Sequence, residues 1–164
     1  MIKIRAIEKQ DISRIAEIHV YGRRIAYKGF MPHKFLFGES TVAKAIERFT
    51  EDNHEGYVFE EGGIIKGFAT IEKWPEDERK NTLRLHKIFI EPAFQGQGIG
   101  KALIKQVEKT AAEFNYEFIS MWVFDDNHDA RTFYEKMGYY QDGVSRFSER
   151  NGVAFSSYTK AVVK

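Results

Sequence analysis

Cysteine is absent from the 164 residues. Disulfides, cysteine-rich zinc sites and a thiolate nucleophile are thereby excluded, so an acyl transfer run by this chain cannot pass through an acyl-cysteine. An excess of either charge is lacking too: 25 Lys and Arg stand against 24 Asp and Glu, which provides no overall field to draw in nucleic acid or an anionic membrane. No apolar run approaches the roughly 20 residues of a membrane helix. The opening Met1-Ile2-Lys3-Ile4-Arg5 alternates where a signal peptide would be continuously apolar. Repeats, low-complexity tracts and linkers are also missing. The expectation is a soluble, cytoplasmic protein with no metal site, no nucleic-acid partner and no membrane partner.

What is present suits one core. A content of 43% hydrophobic and 15% aromatic residues in this length reads as a single domain over residues 1–164. Residues 2–7 alternate as a strand. Asp11 reads as the cap of a helix with Ile12, Ile15, Ile18 and Ile25 on one face. A loop over residues 29–32 follows, and Ser40 reads as the cap of a second helix ending near Phe49. Strands over residues 57–61 and 64–74 flank Gly62-Gly63, a hairpin signal. Residues 76–80 form a charged connection, and the strand over 83–91 stops at Pro92. From Ile99, the positions Leu103, Val107, Ala111 and Phe114 recur at helical spacing. A strand over 118–124 is apolar on both faces. Asn127 opens a short helix that Gly138 ends, and strands over 139–149 and 153–162 meet at Asn151-Gly152. This order predicts a mixed α/β sheet with helices on both faces.

The segment Gln95-Gly96-Gln97-Gly98-Ile99-Gly100 lies between a strand and a helix. Its glycines bring unobstructed N–H groups to a helix N-terminus, an anion cradle suited to a pyrophosphate. A dinucleotide fingerprint needs a third glycine where Lys101 stands. A Walker loop needs glycine at Gln95 and Ser or Thr at Ala102.

The pattern Gln95-x-x-Gly98-x-Gly100 resembles the acetyl-CoA pyrophosphate motif of the GNAT superfamily of N-acetyltransferases. The resemblance extends to Leu85-His86-Lys87-Ile88-Phe89-Ile90-Glu91-Pro92 before it and to Asn127-x-x-Ala130-Arg131-x-Phe133-Tyr134-x-Lys136-Met137-Gly138-Tyr139 after it. It is close over residues 82–140. Residues 19–32, with Arg24, Ala26, Tyr27, Gly29 and Pro32, are similar to a subgroup of small bacterial-type members with varied acceptors. The resemblance implies the superfamily fold, with seven mostly antiparallel strands, and acetyl-CoA as cosubstrate. It implies an acyltransferase moving acetyl directly to a primary amine in a ternary complex, the acceptor being a small molecule. A non-catalytic acyl-CoA-binding or sensing module and the acetylation of a protein amine are the alternatives. A homodimer through the terminal strands is also implied.

The same resemblance assigns the cofactor contacts to the backbone of Ile88, Phe89 and Ile90, to the turn Gln95, Gly96, Gln97, Gly98, Ile99, Gly100 and Lys101, and to Asn127 and Arg131. Asn127 and Tyr134 are seven residues apart, about 20° short of two helical turns, so they share a face, and Tyr134 is implied as the acid that protonates the departing thiolate. For the base, His86 matches a position where arylalkylamine-type members carry a catalytic histidine, and a water chain ending on a carboxylate such as Glu72 is the rival. Arg84 departs from the acidic residue that some protein-lysine acetyltransferases have at that position. Tyr21, Tyr27, Phe30 and Phe35 are candidates for lining the acceptor pocket.

Overall fold

The computed structural model describes residues 1–73 and 80–164. The expected charged connection, apart from Lys80, and the expected end of a strand at Trp74 lie outside the described residues. The elements follow the expected order: β1 (Ile2–Ala6), α1 (Ile12–Tyr27), α2 (Val42–Glu51), β2 (Glu55–Glu61), β3 (Ile64–Lys73), β4 (Thr82–Ile90), α3 (Ile99–Glu113), β5 (Phe118–Phe124), α4 (His128–Lys136), β6 (Tyr140–Ser148) and β7 (Val153–Ala161). None of the described helices is long and apolar enough to cross a membrane.

The strands form one sheet in the order β1-β2-β3-β4-β5-β7-β6. Every neighbouring pair is antiparallel except β4 with β5. Period-2 alternation sends neighbouring side chains to opposite faces. Tyr57 and Phe59 of β2 join the core under α3, and Val58 between them joins the core under α1 and α2. On the first face Leu103, Ile104, Val107 and Ala111 of α3 pack against Leu83, Leu85, Ile119 and Met121. On the second, Ile15 and Ile18 of α1 and Phe49 of α2 pack against Phe68. A fold with helices on both faces of a mixed sheet follows, as the sequence predicts.

Several local expectations shift. Asp11 precedes α1 but does not cap it with its side chain. Its carboxylate instead accepts from the Glu8 amide at 2.8 Å and from the Arg5 guanidinium at 2.7 and 3.0 Å. Thr41, not Ser40, caps α2 by accepting from the Lys44 amide at 3.3 Å. Arg24 donates to the Leu36 and Ser40 carbonyls at 3.0 and 3.1 Å, and these bonds tie down a π-helical turn at Lys34–Glu39, beyond the expected loop over residues 29–32 and before the expected cap of α2. Phe114 leaves the apolar stripe because it is the C-cap of α3, past the last full turn, and it is 55% exposed beneath the Lys73 ammonium.

The junction of β4 and β5 positions everything that follows. Among the described residues, only Thr82, Leu83 and Arg84 of β4 pair with Phe118, Ile119 and Ser120 of β5, although both strands run on. Beyond those three pairs the strands diverge and leave the β5-facing backbone of β4 without a strand partner. The divergence begins at a β-bulge. Thr70 is opposite Lys87 and Ile71 is opposite Leu85, so His86 is the extra residue in β4. Bulges bend a strand and increase its local twist. Tyr27, at the end of α1, fills the gap, with its ring 5.1 Å from that of Phe124 on β5 and 6.4 Å from that of Phe89 on β4.

Candidate active site

The glycine turn closes one end of the divergent region. Gly96 and Gly98 have φ of 76° and 79°, left-handed values that a Cβ would strain. A Cβ at either would project into open space, so the surface above the turn is bare backbone. Gly98 is the N-cap of α3, whose first bond to it is Ala102 N–H to the Gly98 carbonyl at 3.0 Å. Among the described residues, no amide from 96 to 101 donates a backbone hydrogen bond. These free donors at the positive end of a helix form an anion site.

A cavity of about 660 Å³ runs from this turn into the β4–β5 gap. Ile88, Phe89 and Ile90 form one wall, and Trp122, Val123 and Phe124 form the other. Gln95, Gly96, Gly98, Ile99, Gly100 and Lys101 close the anion-binding end, and α4 contributes Asn127, Phe133 and Tyr134. The structure thus gathers most of the residues singled out in the sequence. It does not bring in Gln97, His86 or Arg131. The Arg131 guanidinium points away, donating to the Tyr158 hydroxyl and the Asp125 carbonyl at 3.0 Å each.

Asn127 caps α4, accepting from the Ala130 amide at 3.3 Å through its side-chain oxygen. Seven residues on, Tyr134 is the buried residue of that helix, only 8% exposed. Among the described residues its hydroxyl has no hydrogen-bond partner, although it lines the cavity. Burial, with Tyr27 nearby as a smaller influence, pushes its pKa up from the ordinary 10. It therefore stays protonated and can donate a hydrogen bond.

A second cavity, of about 550 Å³, opens on the α1–α2 side. Tyr27, Phe89, Trp122 and Phe124 line both cavities, so the two meet at the β4–β5 gap. Of the aromatic candidates, Tyr27 and Phe35 line this second space. Phe30 packs behind Tyr27 and Phe124, and Tyr21 is exposed beside Arg24.

The model of the Acetyltransferase (GNAT) family matches residues 24–139, which include both walls of the gap and the glycine turn. This chain belongs to the GNAT family. It is 28% identical over 145 residues to an uncharacterized N-acetyltransferase of Methanocaldococcus jannaschii, covering 86% of this chain and 62% of that protein. It is 25% identical over 156 residues to the spermine/spermidine N(1)-acetyltransferase of Bacillus subtilis, covering 90% and 93%. The fold matches that of the PaiA N-acetyltransferase of Thermoplasma acidophilum, solved in complex with coenzyme A, with a TM-score of 0.72, 16% identity and coverage of 96% and 98%.

In this GNAT chain His86 faces the second cavity, and its ring stacks on His54 with centroids 5.5 Å apart and planes at 24°. Loss of water, then the charges of Lys87, His54 and Arg84, push its pKa down to about 4. The folded protein thus refuses a proton that the unfolded chain accepts. The contribution of His86 to stability is complete above about pH 6.5 and is lost as pH falls toward about 4. An NMR titration of the His86 imidazole is expected to show a midpoint near 4, with the ring neutral at pH 6. A midpoint near 6.5 would contradict this environment. Glu72, the rival base, is bonded to Arg84 at 3.0 Å and does not line the second cavity.

Sequence reasoning passed over His19. It is 8% exposed, lines the second cavity, and is surrounded edge-on by Phe49, Phe68 and Phe89. Its Nδ1 is buried without a partner, and burial holds its pKa well below 6.5. The available signal was an imidazole four residues after Ile15, inside the apolar stripe of α1.

Proposed function

We propose that the protein is an N-acetyltransferase that takes an acetyl group from acetyl-CoA in the β4–β5 gap and passes it to a primary amine of a small molecule. The observation that carries this reading is the meeting of two cavities at the unpaired edge of β4. One has a cradle for a pyrophosphate, and the other is an open chamber for an acceptor. That arrangement supports a ternary complex, with each substrate entering by its own opening and no enzyme-bound acetyl group needed.

Acetyl-CoA supplies the activated acyl group. The residues of this chain hold and polarise it. The free amides of the glycine turn bind the pyrophosphate. The β5-facing edge of β4 at Ile88, Phe89 and Ile90, which pair with β3 on their other side, accepts an extended arm as a further strand would be accepted, and a fixed N–H there stabilises developing charge on the carbonyl oxygen. Tyr134 is the proposed proton donor to the leaving sulfur.

The amine must lose a proton before it attacks. An ordinary alkylammonium, with pKa near 10.4, is neutral in only about one molecule in 10³ at pH 7. His86 is a poor base because its proton affinity is so reduced. The cavity supplies another route. Lys87, in its wall, has its own ammonium pushed down to about 8, first by burial and then by Arg23 and Arg48. In the same surroundings an acceptor ammonium becomes easier to deprotonate, and at a pKa of 8 about one molecule in ten is neutral at pH 7.

Calorimetry is expected to show acetyl-CoA binding in preference to ATP or NAD. Gly98→Ala is expected to weaken acetyl-CoA binding about tenfold, because a Cβ strains the left-handed backbone and covers part of the cradle. Equal binding of ATP would contradict the assignment, as would the failure of a broad amine panel to stimulate CoA release.

A further inference from the structure

The second cavity has an uneven distribution of charge. Its walls include Arg23, Lys44, Arg48, Lys87 and Arg150, against the carboxylates of Glu39 and Asp52. Glu39 is neutralised by its ion pair with Arg150, whereas Asp52 lies 3.2 Å from a His54 imidazole whose pKa is lowered, and so keeps its charge. Among the described residues, Arg23, Arg48 and Lys87 have no carboxylate within ion-pair distance. Two of them lie over aromatic faces instead: Arg23 is 4.9 Å from the centroid of Phe35, and Lys87 is 5.8 Å from that of Phe49.

Cations gathered in excess of their counterions at the mouth of a cavity repel one another unless a further anion joins them. Arg23 and Lys87 show the strain of this arrangement. Burial lowers the pKa of each and Arg48 lowers both further, outweighing the opposing pull of Asp52 on Lys87 and of Tyr27 on Arg23. The imidazoles of His19, His54 and His86 are all held toward the neutral form, so they supply no competing charge and no anion. A polyamine entering here would bring more positive charge to a wall where five cationic side chains already outnumber the two carboxylates, Glu39 and Asp52.

Resting on the proposed acetyltransferase reading, we infer that the acceptor is an amine that also carries a carboxylate, an amino acid with an apolar or aromatic side chain, whose carboxylate is held by Arg23, Arg48 and Lys87. The aromatic walls made by Tyr27, Phe35, Phe49, Phe89, Trp122 and Phe124 suit such a side chain. The guanidinium forks suit the two oxygens of its carboxylate. The zwitterion adds no net charge, and its amino group faces the gap where the two cavities meet. This acceptor class differs from the polyamines named for the Bacillus subtilis relative.

The test compares L-phenylalanine with L-phenylalaninamide, 2-phenylethylamine and spermidine as acceptors, alongside calorimetry with acetyl-CoA. The amino acid is expected to exceed its amide in kcat/KM by at least about tenfold, the worth of one charge-assisted hydrogen bond. In Arg23→Gln/Arg48→Gln that ratio should fall toward 1 through a rise in KM for the amino acid, and Arg48→Lys should restore part of it. If acetyl-CoA binds and the amide or spermidine is the better acceptor, the inference is overturned and the acetyltransferase reading stands. If acetyl-CoA does not bind, the acetyltransferase reading falls, and NMR binding of N-acetyl-L-phenylalanine against its amide judges the pocket alone. Selective binding of the carboxylate that the double variant loses supports the anion site, and equal or absent binding overturns it.

Discussion

Tyr134→Phe is expected to lower kcat by about 10²- to 10⁴-fold while acetyl-CoA affinity changes by less than about threefold. The change removes one oxygen atom from a ring that stays packed against Phe133 and Tyr139. That hydroxyl has no partner to abandon among the described residues, so stability should hold or rise slightly. Its raised pKa also keeps it protonated across the working pH range, so it should contribute no basic limb to the pH profile near 10. What the variant loses is a proton donor facing the gap, needed only as charge develops on the leaving sulfur. Single-turnover kinetics with the best acceptor checks this directly. If the rate stays within about threefold, the donor is another group, and Tyr27, which lines the same cavity, becomes the leading candidate.

Gly56→Ala is expected to destabilise the fold by about 3 kcal/mol or more, which lowers the melting temperature of a chain this long by about 6–12 °C. A Cβ on Gly56 would lie 2.0 Å from the Ala69 carbonyl oxygen and 2.8 Å from the Thr70 Cα. Both are backbone atoms of the neighbouring strand, so relief requires β2 and β3 to move apart at a position where they are paired. The Gly56 carbonyl also accepts from the Ile7 amide at 3.0 Å, tying the end of β1 to the same spot. Gly29→Ala is the control, because nothing lies within 4 Å of its Cβ position, and it should change stability by less than about 0.5 kcal/mol. Urea denaturation of the two variants tests the contrast. Equal midpoints would mean that the strands adjust freely.

Much of this architecture was readable from local pattern. Strand alternation, the apolar stripe of α3 and the turn residues Gly62-Gly63 and Asn151-Gly152 carry their own periodicity or backbone requirement, and the elements follow. The glycine turn was equally legible, because free amides at a helix start depend on neighbours in sequence. Features set by distant partners were not. The position of β7 between β5 and β6 is a long-range pairing that no window reveals. The bulge at His86 exists only relative to β3. Arg131 looked like a cavity residue by its place in the motif, yet Tyr158 and the Asp125 carbonyl, remote or off the helix, decide where its side chain goes. Arg23, Arg48 and Lys87 come from α1, α2 and β4, and their common wall emerges only when those elements pack.

The three rungs between β4 and β5 also divide the molecule mechanically. Among the described residues they are the only strand pairing that joins the sheet half made by β1 to β4 to the half made by β5, β7 and β6. Helix α3 lies across this seam like a splint, touching Leu83 and Leu85 on one side and Ile119 and Met121 on the other. A pivot about those rungs would leave the strand hydrogen bonds inside each half intact. Amide exchange is then expected to be slow within each half and sensitive to ligand along the seam, the signature of a hinge between two stiff plates.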